Sequence, residues 1–159
     1  TQSQNRLASS QPTSAHRVVF IRHGESTWNA SKRFSGWVDI DLTEKGRQEA
    51  IQGGFLVKAA GLKFDIAYTS MLKRAVRTLW EVLHVTNHHW IPVHKHWRLN
   101  ERHYGALTGL SKTEAHTRFG PDLLRLYRRG FNVEPLMMDE SHPLYEHIYG
   151  DGRYAMYGG

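Results

Sequence analysis

The sequence predicts an α/β protein with three layers: a doubly wound, mostly parallel sheet carrying helices on both faces. Two short apolar runs read as strands, at 16–21 (HRVVFI) and 64–69 (FDIAYT). Each is followed by a stretch with helical spacing, and a third strand-like pair, Ile91 and Val93, comes after the second helix. Strand, helix, strand, helix, strand is the order that a parallel sheet with crossover helices requires.

The first run is rich in β-branched residues and bounded by polar segments, the pattern of a strand buried on both faces. Gly24 follows almost at once and lets the chain turn. The next helix is expected over Leu42–Leu62, with Thr43 as N-cap and Glu44 in the first turn. Ile51, Phe55, Ala59 and Leu62 recur at helical spacing as its inner stripe, and Gly53-Gly54 weakens its middle. Phe64, Ile66 and Tyr68 alternate with smaller or polar residues, as in a strand. Ser70 is expected to cap a helix whose stripe is Leu72, Val76, Leu79 and Leu83. Asn100 to Leu110 reads as a loop. Ser111 caps a helix through Phe119, and Pro121 to Arg129 forms another. Beyond Phe131 no period is evident, and no internal repeat is found.

The 159 residues suffice for one domain with a core. Residues 1–16 are polar and lack the apolar stretch of a secretory signal, so a disordered tail or tag remnant is expected there. No run of about 18 apolar residues occurs, so no membrane-spanning helix is expected. The chain contains no cysteine, which excludes disulfides and thiolate chemistry and permits a reducing compartment. The formal net charge of +6 and a pI near 9.7 point to anionic partners or simply to a solvated basic surface. The basic residues are dispersed, with no zinc-finger spacing, RNA-recognition signature or basic zipper, so nucleic acid is not expected. Small phosphorylated ligands suit scattered arginines better.

Ligands of such sheets bind beyond the carboxyl ends of the strands. Arg22-His23-Gly24 lies at the first of those ends. A neutral imidazole there offers a ring nitrogen as nucleophile while the other is held by a carbonyl. Gly24 allows close approach of the backbone to a phosphate, and Arg22 can fork onto its oxygens. A lone histidine is more often a hydrogen-bonded structural residue, and RHG alone is common by chance. Arg74 and Arg77 fall on the first turns of the helix after the second strand, where the helix dipole would add to their charge, although both can equally be solvated. Arginines can replace a metal in neutralising a transferring phosphoryl group. Glu101, in the loop, can be a general acid or base, or an ion-pair partner of Arg102 or another cation. His94 with His96, and adjacent His88-His89, invite a metal, but no cysteine or HExxH pattern accompanies them and no metal is expected. The tryptophans and tyrosines read as core and interface residues.

Taken together, RHGESTWN (22–29), RFSGWVDIDLTEKG (33–46), FDIAYTSMLKRAVRTLW (64–80), WRLNERHYGALTGLSKTE (97–114) and YRRGF (127–131) occur in order. They resemble cofactor-dependent phosphoglycerate mutase, of the histidine phosphatase superfamily, from about Val18 onward. The NERHYGALTGL and YRRGF segments are the specific ones and favour the mutase over a generic phosphatase. The resemblance implies that His23 is phosphorylated, primed by 2,3-bisphosphoglycerate, and that Arg22 and Arg74 clamp the phosphoryl group. It implies that Glu101 transfers the proton, and that Asn29, Ser35, Gly36, Tyr104, Lys112, Arg128 and Arg129 bind the substrate's phosphate and carboxylate. The implied reaction is the glycolytic and gluconeogenic interconversion of 3-phosphoglycerate and 2-phosphoglycerate, without a metal. It implies a cytoplasmic enzyme acting on a small phosphorylated substrate, without nucleic acid or membrane, and a homo-oligomer, since the family commonly forms dimers or tetramers.

The family's second histidine, in an HGNS-like motif further downstream, has no counterpart in these residues. Residues 17–159 are therefore expected to be the N-terminal part of a single mutase-like domain, with the sheet incomplete at its C-terminal side. Leu136 stands where the family usually has proline, and Ala115-His116 interrupts the pattern after Glu114. Two alternatives remain at this point: a phosphatase of the same superfamily, and a truncated, inactive chain that binds phosphorylated ligands.

Overall fold

A computed structural model of the chain describes residues 16–155. The tail expected over 1–16 falls, except for His16, outside the described residues. Helix α1 spans Thr27–Ala30, α2 Glu44–Ala59, α3 Lys73–Thr86, α4 Lys112–Phe119, α5 Pro121–Arg129 and α6 Tyr145–Tyr149. Strands β1 (Ala67–Thr69) and β2 (Val93–Lys95) pair in parallel, with Tyr68 opposite His94, and α3 makes the crossover between them. The α/β class and the parallel pairing follow the sequence reading.

The 16–21 run departs from it. Among the described residues it pairs with nothing, and its apolar side chains face outward, Val18 73% and Phe20 93% exposed. A strand exists only where a neighbour offers its N–H and C=O groups. Here residues 17–21, β1 and Ala75, Leu79 and Val82 of α3 instead line one cavity of about 630 Å³.

Helix α2 begins where expected: the Thr43 hydroxyl accepts from Gly46 N at 3.0 Å. Its buried face is not the expected one. Gly46, Ala50, Gly54 and Val57 are buried, whereas Phe55 is 52% exposed. The small residues win because α3 packs directly on them. A Cβ on Gly54 would stand 2.8 Å from Val85 Cβ, so this glycine marks the helix crossing rather than a weak point. At the other end, a Cβ on Gly24 would lie 1.9 Å from Gly46 O, and one on Gly46 would lie 2.0 Å from Glu25 O. The two glycines seat the turn after residue 23 on the first turn of α2.

Helix α3 buries Leu72, Val76, Val82 and Leu83, close to the expected stripe. Its N-cap differs: it is Leu72, and no side chain of the cap residue closes the helix. Ser70 Oγ accepts from Leu72 N at 3.2 Å, two residues too early. The Lys73 amide donates instead to Asp39 Oδ1 at 2.6 Å, a carboxylate brought from another segment. Ser111 and Glu114 form the reciprocal cap of α4, and Pro121 opens α5.

Two apolar clusters lie under the loops. Phe34, Leu107, Ala115 and Leu124 join α4 and α5 to the 34 and 107 segments. Val38, Met138 and Ile148, with Trp28 and Trp37 against them, tie down the region after Phe131. That region contains α6, for which the sequence shows no period because five residues span little more than one turn. No helix among the described residues is long and apolar enough to cross a membrane.

Candidate active site

His23 stands immediately before the Gly24–Gly46 contact and is half-buried. Its Nδ1 lies 2.7 Å from Gly24 O. A carbonyl has no proton to give, so Nδ1 carries the hydrogen and Nε2 keeps its lone pair. The Gly24 amide donates to Thr78 Oγ1 at 3.2 Å, and Thr78 in turn donates to Arg74 O at 2.8 Å. Burial pushes the imidazole below its ordinary titration range. The Gly24 hydrogen bond opposes this, while the charges of Arg74 and Arg22 add to it and Glu101 opposes it. The ring is therefore neutral at physiological pH, the state a nucleophile needs.

Arg74, from the first turn of α3, is 1% exposed. It is not solvated, as its position opposite the apolar stripe allowed. The loop at 36–38 folds over it: Nη2 donates to Gly36 O at 2.8 Å and Nη1 to Val38 O at 3.1 Å. Nη2 also meets Glu101 Oε2 at 3.0 Å. Its Nε is buried with no acceptor among the described residues. Burial lowers its pKa, and Glu101 opposes the shift. Arg77, by contrast, is half-exposed and paired with Asp41 at 2.7 Å. Nor is the start of α3 an open seat for an anion, since Asp39 occupies the Lys73 amide.

Glu101 thus pairs with Arg74 rather than with its neighbour Arg102. Its backbone carbonyl accepts from Trp37 Nε1 at 2.8 Å, which holds the segment in place. Tyr104 lies within electrostatic reach of Glu101. Its phenol is raised, first by burial, then by Glu101, against the charges of Arg128 and Arg102. Arg102 closes the last turn of α5: Nη1 donates to Tyr127 O at 3.0 Å and Nη2 to Gly130 O at 2.8 Å. In this way the YRRG segment is docked beside the Glu101 loop. Arg128 lies over the Phe34 ring, 5.9 Å from its centroid.

His23 therefore senses Arg74, Arg22 and Glu101, and Tyr104 senses Glu101, Arg128 and Arg102, with Glu101 common to both sets. The other predicted positions have local partners of their own. Asn29 closes the α1 cap with Ser26, its Oδ1 accepting from Ser26 N at 3.1 Å. Ser35 is buried with its carbonyl on Val38 N, and Gly36, at φ +50, spends its carbonyl on Arg74. Lys112 begins α4 with its amide on Lys32 O, and exposed Arg129 ends α5. No group of three or more acidic or histidine side chains that would hold a metal occurs among the described residues. His94 stacks on Tyr68, and His96 Nδ1 accepts from Arg98 N.

Sequence reading missed Thr78, Asp39, Arg102 and Trp37. Thr78 is one turn after Arg74 on the same helix face, so its position was available. The partners of the other three are far away in the chain and left no local signal.

Comparison with known proteins gives the family. Residues 18–143 match the family model of the histidine phosphatase superfamily (branch 1). Among solved structures, the chain is similar to YhfR of Bacillus stearothermophilus, at 38% identity and a TM-score of 0.54 over 60% of this chain and 45% of that one. It is similar to a phosphoglycerate mutase from Bacillus anthracis, at 26% identity and a TM-score of 0.59 over 67% and 48% of the two chains. It is also similar to a mycobacterial glucosyl-3-phosphoglycerate phosphatase complexed with VO3, at 26% identity and a TM-score of 0.54 over 60% and 44%. The chain thus spans somewhat under half the length of each. With the family match covering most of its residues and the RHG histidine set as described, the chain belongs to the histidine phosphatase superfamily, branch 1.

Proposed function

We propose that the chain carries the phosphoryl-accepting part of a 2,3-bisphosphoglycerate-dependent phosphoglycerate mutase, a cytoplasmic enzyme interconverting 3- and 2-phosphoglycerate. The observation that supports this reading best is His23 itself: a neutral imidazole with Nδ1–H fixed on Gly24 O and Nε2 left as a lone pair, beside a buried arginine. The unpaired Nε–H of Arg74 suits an anionic oxygen, and exposed Arg22 adds a second guanidinium. Bound there, 2,3-bisphosphoglycerate would supply the priming phosphoryl group.

His23 Nε2 forms a bond to phosphorus as the bond from phosphorus to the ester oxygen breaks, and the developing charge falls on the arginines. Glu101 gives the proton to the departing oxygen and takes one from the hydroxyl that later accepts the phosphoryl group. Tyr104, Arg128, Arg129 and Lys112, with Asn29, Ser35 and Gly36 in the frame, are assigned to the substrate's phosphate and carboxylate. No resident metal is assigned to the reaction.

The second reading is a phosphatase, favoured by the similarity to a solved phosphatase at the same TM-score as that to YhfR. Both readings share the phosphohistidine and part at the acceptor, a sugar-acid hydroxyl or water. The test is to incubate the native protein with ³²P-labelled 2,3-bisphosphoglycerate and 3-phosphoglycerate. Acid-labile label on His23 with formation of 2-phosphoglycerate supports the mutase. Release of inorganic phosphate without isomerisation supports the phosphatase. Ligand binding with no label would mark an inactive phosphate-binding chain, and undiminished labelling of His23→Ala would show that another residue is the nucleophile.

A further inference from the structure

We propose that Arg153 and Tyr154 are positioning residues: they clamp together the three chain segments that hold the Arg74–Glu101 pair. Neither touches His23, and the catalytic part of this inference rests on the reading of His23 as a phosphoryl acceptor.

The Arg153 guanidinium is aligned by Asp151, with Nε 3.0 Å from Asp151 Oδ1. Its Nη1 donates to Asp39 Oδ2 at 2.9 Å and to Met71 O at 3.2 Å. The other oxygen of Asp39 is the one that takes the Lys73 amide at the start of α3. One guanidinium therefore joins the 36–39 loop, whose carbonyls receive Arg74, to the turn that launches Arg74.

Tyr154 repeats the arrangement on the third segment. Its hydroxyl accepts from Asn100 Nδ2 at 2.9 Å, and Asn100 Oδ1 accepts from Met71 N at 3.0 Å. Its ring, only 8% exposed, packs on Trp37 with centroids 5.0 Å apart. Trp37 is the residue that holds Glu101 O. Arg153 thus holds the Met71 carbonyl and one oxygen of Asp39, whose other oxygen holds the Lys73 amide, while Tyr154 reaches the Met71 amide through Asn100 and the Glu101 carbonyl through Trp37. A surface tether would need none of these convergences. Arg74 can receive a phosphoryl oxygen through Nε only while its two Nη groups stay on Gly36, Val38 and Glu101, and the clamp is what fixes those acceptors relative to α3.

The test uses Arg153→Met, Arg153→Lys and Tyr154→Phe in the native protein, with two readouts. In the first, Arg153→Met slows acid-labile ³²P incorporation from 2,3-bisphosphoglycerate about tenfold, Arg153→Lys recovers part of it, and Arg153→Met costs nothing further in an Arg74→Ala background. Wild-type rates in Arg153→Met, or a full additional loss on top of Arg74→Ala, would overturn the clamp. In the second, amide hydrogen exchange across residues 70–74 accelerates about tenfold in Arg153→Met while that of α4 stays unchanged. Unaltered exchange at 70–74 overturns the clamp whatever the chemistry. Should the wild-type protein take no label, the phosphoryl-acceptor reading falls and the exchange measurement still decides this one.

Discussion

The turn carrying His23 and the run that leads into it are adjacent in sequence and opposite in character. From Gly24 onward, the polar groups around the turn have partners: Gly24 has Thr78, Ser26 has Asn29, Thr43 has Gly46, and Arg74 has two carbonyls and a carboxylate. Residues 18–21 present apolar side chains to solvent and make no ladder among the described residues. The difference is one of partners. Caps, glycine contacts and a carbonyl-lined arginine are completed by segments within about 80 positions along the chain. A strand requires a neighbour that pairs with its N–H and C=O groups, and β1 shares a cavity with this run instead of pairing with it. The His23 turn can thus be well determined while the run that leads into it stays unpaired among the described residues.

The largest expected effect falls on the determined side. Arg74→Ala should reduce His23 labelling by roughly 10²-fold, as loss of a preorganised charge-stabilising donor generally does. A change below threefold, measured by single-turnover ³²P incorporation, would separate Arg74 from the phosphoryl group. Next comes the glycine contact. Gly46→Ala should cost about 3 kcal/mol in chemical denaturation, because its Cβ would meet the Glu25 backbone and neither chain can yield cheaply. An unchanged midpoint would mean that the turn floats on α2.

The pH dependence is smaller and has a defined sign. Burial lowers the folded-state pKa of His23 and of His103 below the ordinary 6.5. The unfolded chain therefore binds protons first as pH falls. The stability contributed by these two rings is complete above about 6.5 and is lost as pH drops from there toward their lowered values. The acid limb of the labelling rate should likewise lie below 6.5, as NMR titration of the His23 ring against a pH–rate profile would check. A limb above 6.5 would contradict the burial. The smallest effect tests the other region. Phe20→Ser should change stability by no more than about 0.5 kcal/mol, as for an exposed side chain. A loss of about 3 kcal/mol or more would show that the run is packed in the native protein and would erase the contrast.

These regions also differ in how much the sequence disclosed. Thr43, Ser111, Glu114 and Pro121 act through neighbours three or four positions away, so the starts of α2, α4 and α5 were legible. The Leu72–Leu83 stripe showed which face of α3 turns inward, because one helix period encodes it. The buried face of α2 was misread: small residues carry little hydrophobic signal, although they permit the closest helix contact. The cap of α3 by Asp39 and the pairing of Glu101 with Arg74 rather than Arg102 depend on segments about 30 residues apart, and no spacing rule reports them. His23 and Arg74 were visible as residue types in a motif. The carbonyls that bury Arg74 were not, since a backbone acceptor leaves no trace in side-chain identity.

That burial explains why the residue on α3 is an arginine. An ammonium sunk to the same depth sheds its proton readily once water is withdrawn, and its three hydrogens match the loop's acceptors poorly. Guanidinium resists both failures, because its charge is delocalised over a plane and its proton is held far more tightly. At position 74 the same burial would push a lysine toward its neutral form, against the pull of Glu101, and weaken the positive field that His23 senses. With arginine, the field is permanent.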